Sequence, residues 1–177
     1  MSNKIKVIPA LFGIVILIVV FAFLNKQKTE PEVSSEPQSE LFDKVYNALS
    51  PFEEKYVKIT NDFNAAVQID SSNRESALEQ IQTELIDLEE TNQTLLDTLP
   101  EFEELAKTDT EKEFYKEVYT LAQIYEKQLT KDWPTLIQIE SSSEVEGLSA
   151  DGLNYARQME SERELQVQKL FSLKDQL

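Results

Sequence analysis

Two residue types that supply much of protein chemistry are missing from this chain, which contains no cysteine and no histidine. The lack of cysteine excludes disulfide bonds, thiolate nucleophiles, cysteine zinc sites and a lipid-modified cysteine. The lack of histidine removes the commonest general base and the commonest transition-metal ligand. We therefore expect no enzymatic activity, no catalytic residue, no metal site and no cofactor.

Glycine is also scarce, because only Gly13, Gly147 and Gly152 occur among 177 residues. Loops that bind phosphate groups depend on glycine, whose backbone adopts conformations that other residues avoid. Such loops have almost nowhere to form here. Leu, Glu, Lys and Gln are abundant, and a composition of this kind favours helices.

Acidic residues often occur in adjacent pairs, such as Glu53-Glu54 and Glu89-Glu90. Neighbouring positions on a helix point about 100° apart, so the two carboxylates of a pair do not converge on one substrate atom. We interpret these pairs as parts of solvated helix faces.

Basic residues are concentrated at the N-terminus. Lys4, Lys6, Lys26 and Lys28 are four of the seventeen, so the chain from Thr29 onward carries thirteen basic and all thirty-three acidic residues, a net charge of −20. Such a charge repels nucleic acid and anionic lipid headgroups. We expect no nucleic-acid partner.

One long apolar run stands out, from Val7 to Leu24, without a charged side chain. As a helix its 18 residues would extend roughly 27 Å, close to the hydrocarbon thickness of a bilayer. The alternative is a cleaved signal peptide with a cut after Ala22. We prefer a retained membrane anchor, because the run is longer than the usual signal core and continues past that site.

The anchor divides the chain into four parts. Residues 1–6 form a short cytoplasmic tail, residues 7–24 the transmembrane anchor, and residues 25–38 a flexible tether rich in Pro, Glu and Ser. Residues 39–177 form an acidic helical domain. Two lysines flank each side of the anchor, and the free N-terminal amine favours a cytoplasmic N-terminus. We therefore expect a single-pass protein of the cell membrane, with its large domain outside the cytoplasm.

Apolar residues of the large domain recur every three or four positions, the spacing of amphipathic helices. This spacing predicts long helices over residues 39–69, 72–99, 109–131 and 149–177, with a short one over 100–107. Short turns between long helices are typical of up-and-down bundles. The predicted fold class is all-α, with an antiparallel bundle of three to four long helices after the anchor and tether.

Two prolines leave local alternatives open. Pro51 lies within the first predicted helix, where it produces either a kinked continuous helix or a new start with Ser50 as N-cap, and we expect a kink or short break. Trp133-Pro134 is predicted to end the third helix. The apolar residues after it, Leu136 to Ile139, fit a short helix or a packed strand-like piece.

Three residues are candidates for contact with a partner. Asn92 lies in the regular apolar seam of the second long helix, where it either fixes register and partner choice or lies at the wet edge of the seam. Tyr119 and Trp133 fit the apolar stripes least well and are expected near a helix end and loop.

The leading functional hypothesis is an accessory or scaffold module of the cell envelope that binds another protein, with a second copy of the chain as one candidate. Long apolar stripes pack between chains as readily as within one. The alternative is an extracytoplasmic domain that senses or binds a ligand or cation through carboxylates and aromatic side chains.

Overall fold

The computed structural model describes residues 39–145 and 147–177, and the regular structure of this part of the chain is entirely helical. This part of the chain forms four long helical stretches, one of which joins two α-helices through a π-helical turn. The prediction of an all-α helical bundle is confirmed. The elements are α1 (Glu40–Ala66), α2 (Ser71–Thr98), a 3₁₀ helix (Leu99–Leu105), α3 (Asp109–Lys127), the π-helical turn (Gln128–Asp132), α4 (Trp133–Ser141) and α5 (Ala150–Lys174).

The predicted tail over residues 1–6, the anchor over 7–24 and the tether over 25–38 lie outside the described residues. Within the described part, no helix combines the length and the apolar character that crossing a bilayer requires.

Neighbouring helices run antiparallel, as cross-helix hydrogen bonds demonstrate. The Lys55 ammonium donates to the Thr91 hydroxyl at 3.1 Å. Further along α1, Lys58 donates to Glu84 at 2.7 Å. Residue numbers therefore rise along α1 as they fall along α2. The α3–α5 pair follows the same rule, with contacts Lys127–Glu162 and Glu117–Gln166.

Helix α1 runs without interruption through Pro51, so the short break is wrong and Ser50 does not start a new helix. Proline removes one backbone hydrogen bond to the carbonyl four residues earlier, which here belongs to Asn47. Both Asn47 and Pro51 are exposed, so water can reach the carbonyl that loses its partner. The helix tolerates the proline because its position lies away from the core.

The start of α3 is fixed by a reciprocal cap. The Thr108 hydroxyl accepts from the backbone N–H of Glu111 at 3.1 Å, and the Glu111 carboxylate accepts from the backbone N–H of Thr108 at 2.9 Å. Ser39, just before α1, donates to the same carboxylate at 2.6 Å. The hydrogen bonds from Ser39 and Thr108 lower the pKa of Glu111 to about 2. The predicted N-terminus of this helix is confirmed.

The third long helix does not end before Trp133-Pro134 as predicted but continues to Ser141. At the π-helical turn the backbone N–H of Trp133 donates to the carbonyl of Gln128, five residues earlier. Pro134 then occupies the first turn of α4, where a missing N–H costs little. Residues 136 to 139 are therefore helical, and the strand-like alternative is wrong.

The core contains a group of aromatic side chains from α1, α3 and α4. The ring of Tyr125 lies 4.6 Å from that of Phe52 and 5.1 Å from that of Tyr56, measured between centroids. Trp133 packs edge-on against Phe63 at 5.3 Å. Such tilted and edge-to-face pairs are the favoured aromatic geometries. They position the polar groups beside them.

Candidate functional site

A group of polar side chains is enclosed in the centre of the bundle. Glu53, Glu160 and Arg163 are 5%, 9% and 4% exposed, and the polar side chains around them are equally enclosed. Burial of ionisable groups costs free energy unless they are paired. We call this group the buried polar cluster; its members are Glu53 and Tyr56 of α1, Tyr125 of α3, Gln128 of the π-helical turn, and Glu160 and Arg163 of α5.

Arg163 is the cation of the buried polar cluster. Its Nη2 and Nε donate to Oε2 of Glu160 at 2.9 and 3.2 Å. Its Nη1 lies 3.8 Å from Oε2 of Glu53, and its guanidinium carbon lies 5.1 Å from the centroid of the Tyr56 ring. One guanidinium therefore faces two carboxylates and one aromatic ring.

Hydrogen bonds connect the cluster across three long helices. The Tyr125 hydroxyl of α3 donates to Oε1 of Glu53 on α1. The Tyr56 hydroxyl donates to Oε1 of Gln128 at 2.7 Å, and the Gln128 amide in turn donates to the carbonyl of Met159 on α5 at 2.9 Å. These contacts join one helix to another, so the first role of the cluster is to hold the helices of the bundle together.

Burial raises the pKa of the Glu53 carboxyl, although the Arg163 guanidinium and the hydrogen bond from Tyr125 act in the opposite direction. Burial likewise raises the pKa of the Tyr56 and Tyr125 hydroxyls, which therefore remain protonated donors. The raised pKa brings the titration of the Glu53 carboxyl closer to neutral pH.

We expect the free energy of unfolding to depend on pH through the Glu53 carboxyl. The variant Glu53→Gln should remove this dependence. Between the ordinary pKa of 4.5 and its raised value, the folded chain retains a proton that the unfolded chain has released. Acidification through this window therefore stabilises the fold, and the gain is lost as pH rises through the folded pKa. Chemical denaturation across pH 4.5 to 8 measures it, and the exposed neighbour variant Glu54→Gln should keep the wild-type profile. Identical profiles for Glu53→Gln and wild type would contradict the expectation.

A second buried cation holds the loop after α4. The Arg74 guanidinium is 3% exposed and donates to four backbone carbonyls. These are the carbonyls of Val67 and Ile69, after α1, at 3.0 and 3.2 Å, and those of Ser143 and Val145, in the loop, at 3.2 and 2.7 Å. One side chain thus satisfies carbonyls that follow two separate helices.

The start of α5 is fixed by Glu140, which is fully buried at the end of α4. Its Oε1 accepts from the backbone N–H of Ser149 at 3.0 Å and from the Ser149 hydroxyl at 2.7 Å. The Ser149 oxygen itself accepts from the backbone N–H of Gly152 at 3.0 Å. A carboxylate at the N-terminus of a helix is favoured by the helix dipole.

The structure does not bring the three predicted contact residues together. Asn92 is 1% exposed, so it does not lie at a wet edge of the seam, and its amide donates to the carbonyl of Ala122 at 3.1 Å. Trp133 is also 1% exposed and lies inside a long helix rather than near its end. Tyr119 lies partly exposed on α3. A partner role for these residues remains a prediction.

Replacement of Asn92 by leucine is expected to raise the free energy of unfolding by about 1 kcal/mol, because the buried Oδ1 has no hydrogen-bond partner within the described part. Urea denaturation measures the change, with the exposed neighbour Gln93→Leu as control. The oligomeric mass should stay unchanged. A shift in mass would instead indicate that Asn92 determines register or partner choice.

Two open grooves follow the helix pairs on the surface. The α1–α2 groove has a volume of about 610 Å³ and the α3–α5 groove about 580 Å³. The α3–α5 groove is lined in part by Ile124, Leu165, Gln168 and Lys169. The lining of the α1–α2 groove includes Ala48 and Lys55 of α1 and Asp87, Glu90, Thr91 and Leu95 of α2.

The buried polar cluster was missed from the sequence, and the solvated-face interpretation is wrong for Glu53. Glu53 directly follows Phe52 and precedes Tyr56 by three positions, so it lies at the border of the apolar stripe of α1. A signal was available in α5, where charged residues interrupt the apolar face between Met159 and Val167. Interruptions of this kind mark positions that require polar partners.

Comparison of the chain with protein-family models, with curated proteins and with solved structures finds no match. Within the described residues, no three Asp or Glu side chains are close enough to hold one metal ion.

Proposed function

We propose that this chain is a single-pass membrane protein whose extracytoplasmic helical domain acts as a protein-interaction or scaffold module of the cell envelope. The observation that carries the proposal is the 18-residue apolar run from Val7 to Leu24, placed before a polar domain of four long helical stretches. An anchor before a folded domain holds that domain near the membrane, where contact with other envelope proteins is frequent.

The surface of the domain supports contact with protein. Ile86 on α2 and Leu165 on α5 are 59% and 61% exposed, and each lies on a different helix pair. Single exposed apolar residues are ordinary, but Leu165 lines one open groove and Ile86 is four positions before Glu90, which lines the other. Open grooves along helix pairs suit the docking of a further helix. The buried polar cluster supports the scaffold role by holding the helices in one arrangement.

In-cell crosslinking of the full-length tagged protein, followed by membrane extraction and mass spectrometry, tests the proposal. We expect a reproducible protein partner joined through residues 39–177, in material that remains with membranes after alkaline washing. The side of the membrane on which the partner resides reports the orientation of the domain.

The matched control replaces Ile16 and Val19 by lysine in the same full-length protein. Each lysine at the centre of a membrane helix costs about 2.5–3.5 kcal/mol, so this variant should leave the membrane fraction. Retention of the variant in membranes would contradict the anchor. Wild-type protein that yields only self-crosslinks or none would contradict the scaffold role and leave ligand sensing as the leading hypothesis.

A further inference from the structure

The part of α2 that forms one wall of the α1–α2 groove lies in a segment of one charge sign. Residues 75–106 contain ten acidic residues and no lysine or arginine. Beyond the groove, Lys58 of α1 pairs with Glu84 of α2 at 2.7 Å and with Asp62 at 2.8 Å. Within the groove, Lys55 donates to the Thr91 hydroxyl. Asp87 and Glu90 at the groove have no ion-pair partner within 4.0 Å among the described side chains.

The floor of the groove is more apolar than its sequence indicates. Thr91, Thr94 and Thr98 donate their hydroxyl protons back to carbonyls of their own helix, at 2.8, 3.0 and 2.8 Å. Their hydrogen-bond donors are therefore used within α2, and their methyl groups remain to be covered. Ala48, which is half-buried, adds further apolar surface, and Leu95 lines the groove from the core with 5% of its surface exposed.

The dimensions of the groove suit a helix. Its residues on α2 span positions 87 to 98, roughly 16 Å along the helix axis and about three helical turns. A helix lying along such a groove presents apolar side chains at every third or fourth position. Its flanking positions then face the carboxylates of Asp87 and Glu90.

From this groove we propose that the partner contributes a basic amphipathic helix, whose apolar face covers the threonine methyl groups and whose Lys or Arg side chains pair with Asp87 and Glu90. This inference rests on the proposed function, since it names the chemistry of the protein partner. A second copy of the chain fits poorly, because thirteen basic against thirty-three acidic residues from Thr29 onward repel a like surface.

Site-specific photo-crosslinking in the full-length protein in cells tests the groove. A photoreactive residue replaces Thr94, which is exposed in the α1–α2 groove, or Gln168, which is exposed in the α3–α5 groove. We expect Thr94 to crosslink to a peptide of another protein that carries Lys or Arg at three- or four-residue spacing. Asp87→Lys combined with Glu90→Lys should reduce this product about tenfold, because like charges then face each other.

The matched control is Glu79→Lys combined with Glu89→Lys, two exposed α2 positions that do not line the groove and that change the net charge equally. This control should crosslink as wild type, and circular dichroism should report the same helix content for both double variants. An equal loss of the Thr94 crosslink in both double variants overturns the proposal. So does a crosslinked partner peptide that is acidic or that comes from another copy of this chain. Crosslinks from Gln168 alone, or from neither site, overturn the groove, and the in-cell crosslinking through residues 39–177 decides the proposed function separately.

Discussion

Replacement of Arg163 by methionine is expected to lower the free energy of unfolding by about 3–5 kcal/mol, the usual cost of removing one partner from a buried ion pair. The guanidinium faces Glu160 at 2.9 Å and Glu53 at 3.8 Å, and all three side chains are almost fully enclosed. Methionine fills much of the same volume but leaves two carboxylates without their cation. Domains of this size are stable by about 5–15 kcal/mol, so the loss is large.

Denaturant unfolding at neutral pH measures this effect, and Arg157→Met, exposed on the same helix, is the matched control. Adding Glu53→Gln and Glu160→Gln to Arg163→Met should recover most of the loss, because the uncompensated charges are then gone. Recovery distinguishes an electrostatic role from simple packing. A change below about 0.5 kcal/mol in the single variant, typical of surface sites, would show that the cluster is not a buried ion group in solution.

The second large effect is expected for Gly152→Ala at the start of α5. A Cβ atom at this position would lie 1.8 Å from Oε1 and 2.9 Å from Cδ of Glu140, far inside van der Waals contact. The carboxylate must therefore move and give up its hydrogen bonds to Ser149. Each hydrogen bond to a charged group contributes about 1.5–3 kcal/mol, so the variant should be strongly destabilised.

A double-mutant cycle with Glu140→Ala tests this cause. In the Glu140→Ala background the two Glu140 atoms beside Gly152 are gone, and the Ser149 Oγ, 3.1 Å from the added Cβ, is the close contact that remains. Alanine is favoured over glycine in a helix by about 0.5–1 kcal/mol, which offsets part of that contact. Gly152→Ala should therefore destabilise the wild type strongly and the Glu140→Ala variant far less. Thermal unfolding of the four proteins measures the cycle. Equal destabilisation in both backgrounds would contradict a clash with Glu140.

The helices themselves were accessible from the sequence because their determinants are local. The three- and four-residue spacing of apolar side chains predicted a long helix from residue 109, and α3 begins there. The short break expected at Pro51 was wrong because the cost of a proline depends on whether the freed carbonyl faces water. The orientation of that carbonyl follows from the packing of α1 and cannot be predicted from the neighbouring residues.

The buried polar cluster was not accessible in the same way. Glu53 and Glu54 are identical in type and adjacent, yet only Glu53 is buried. Glu53 lies on the inner side of α1, where Arg163 of α5, 110 positions later in the sequence, is its cation. The seam residue Asn92 illustrates the converse, since periodicity placed it correctly on the inner face but did not reveal the carbonyl that it contacts.

The π-helical turn allows the stretch from Asp109 to Ser141 to contain one residue more than a uniform α-helix would. Its wider hydrogen-bonded loop accommodates one residue more than an α-helical turn. Deletion of a single exposed residue there, such as Thr130, would let the entire stretch from Asp109 to Ser141 wind uniformly. The segments before and after the deletion would stay nearly in phase, because four residues of an α-helix turn through about 400°, close to the single wide turn that five residues make here. With Thr130 retained, a uniform α-helix would instead separate Gln128 and Trp133 by about 140° and turn one of them away from the core. The wide turn is therefore what allows two side chains five positions apart both to be buried.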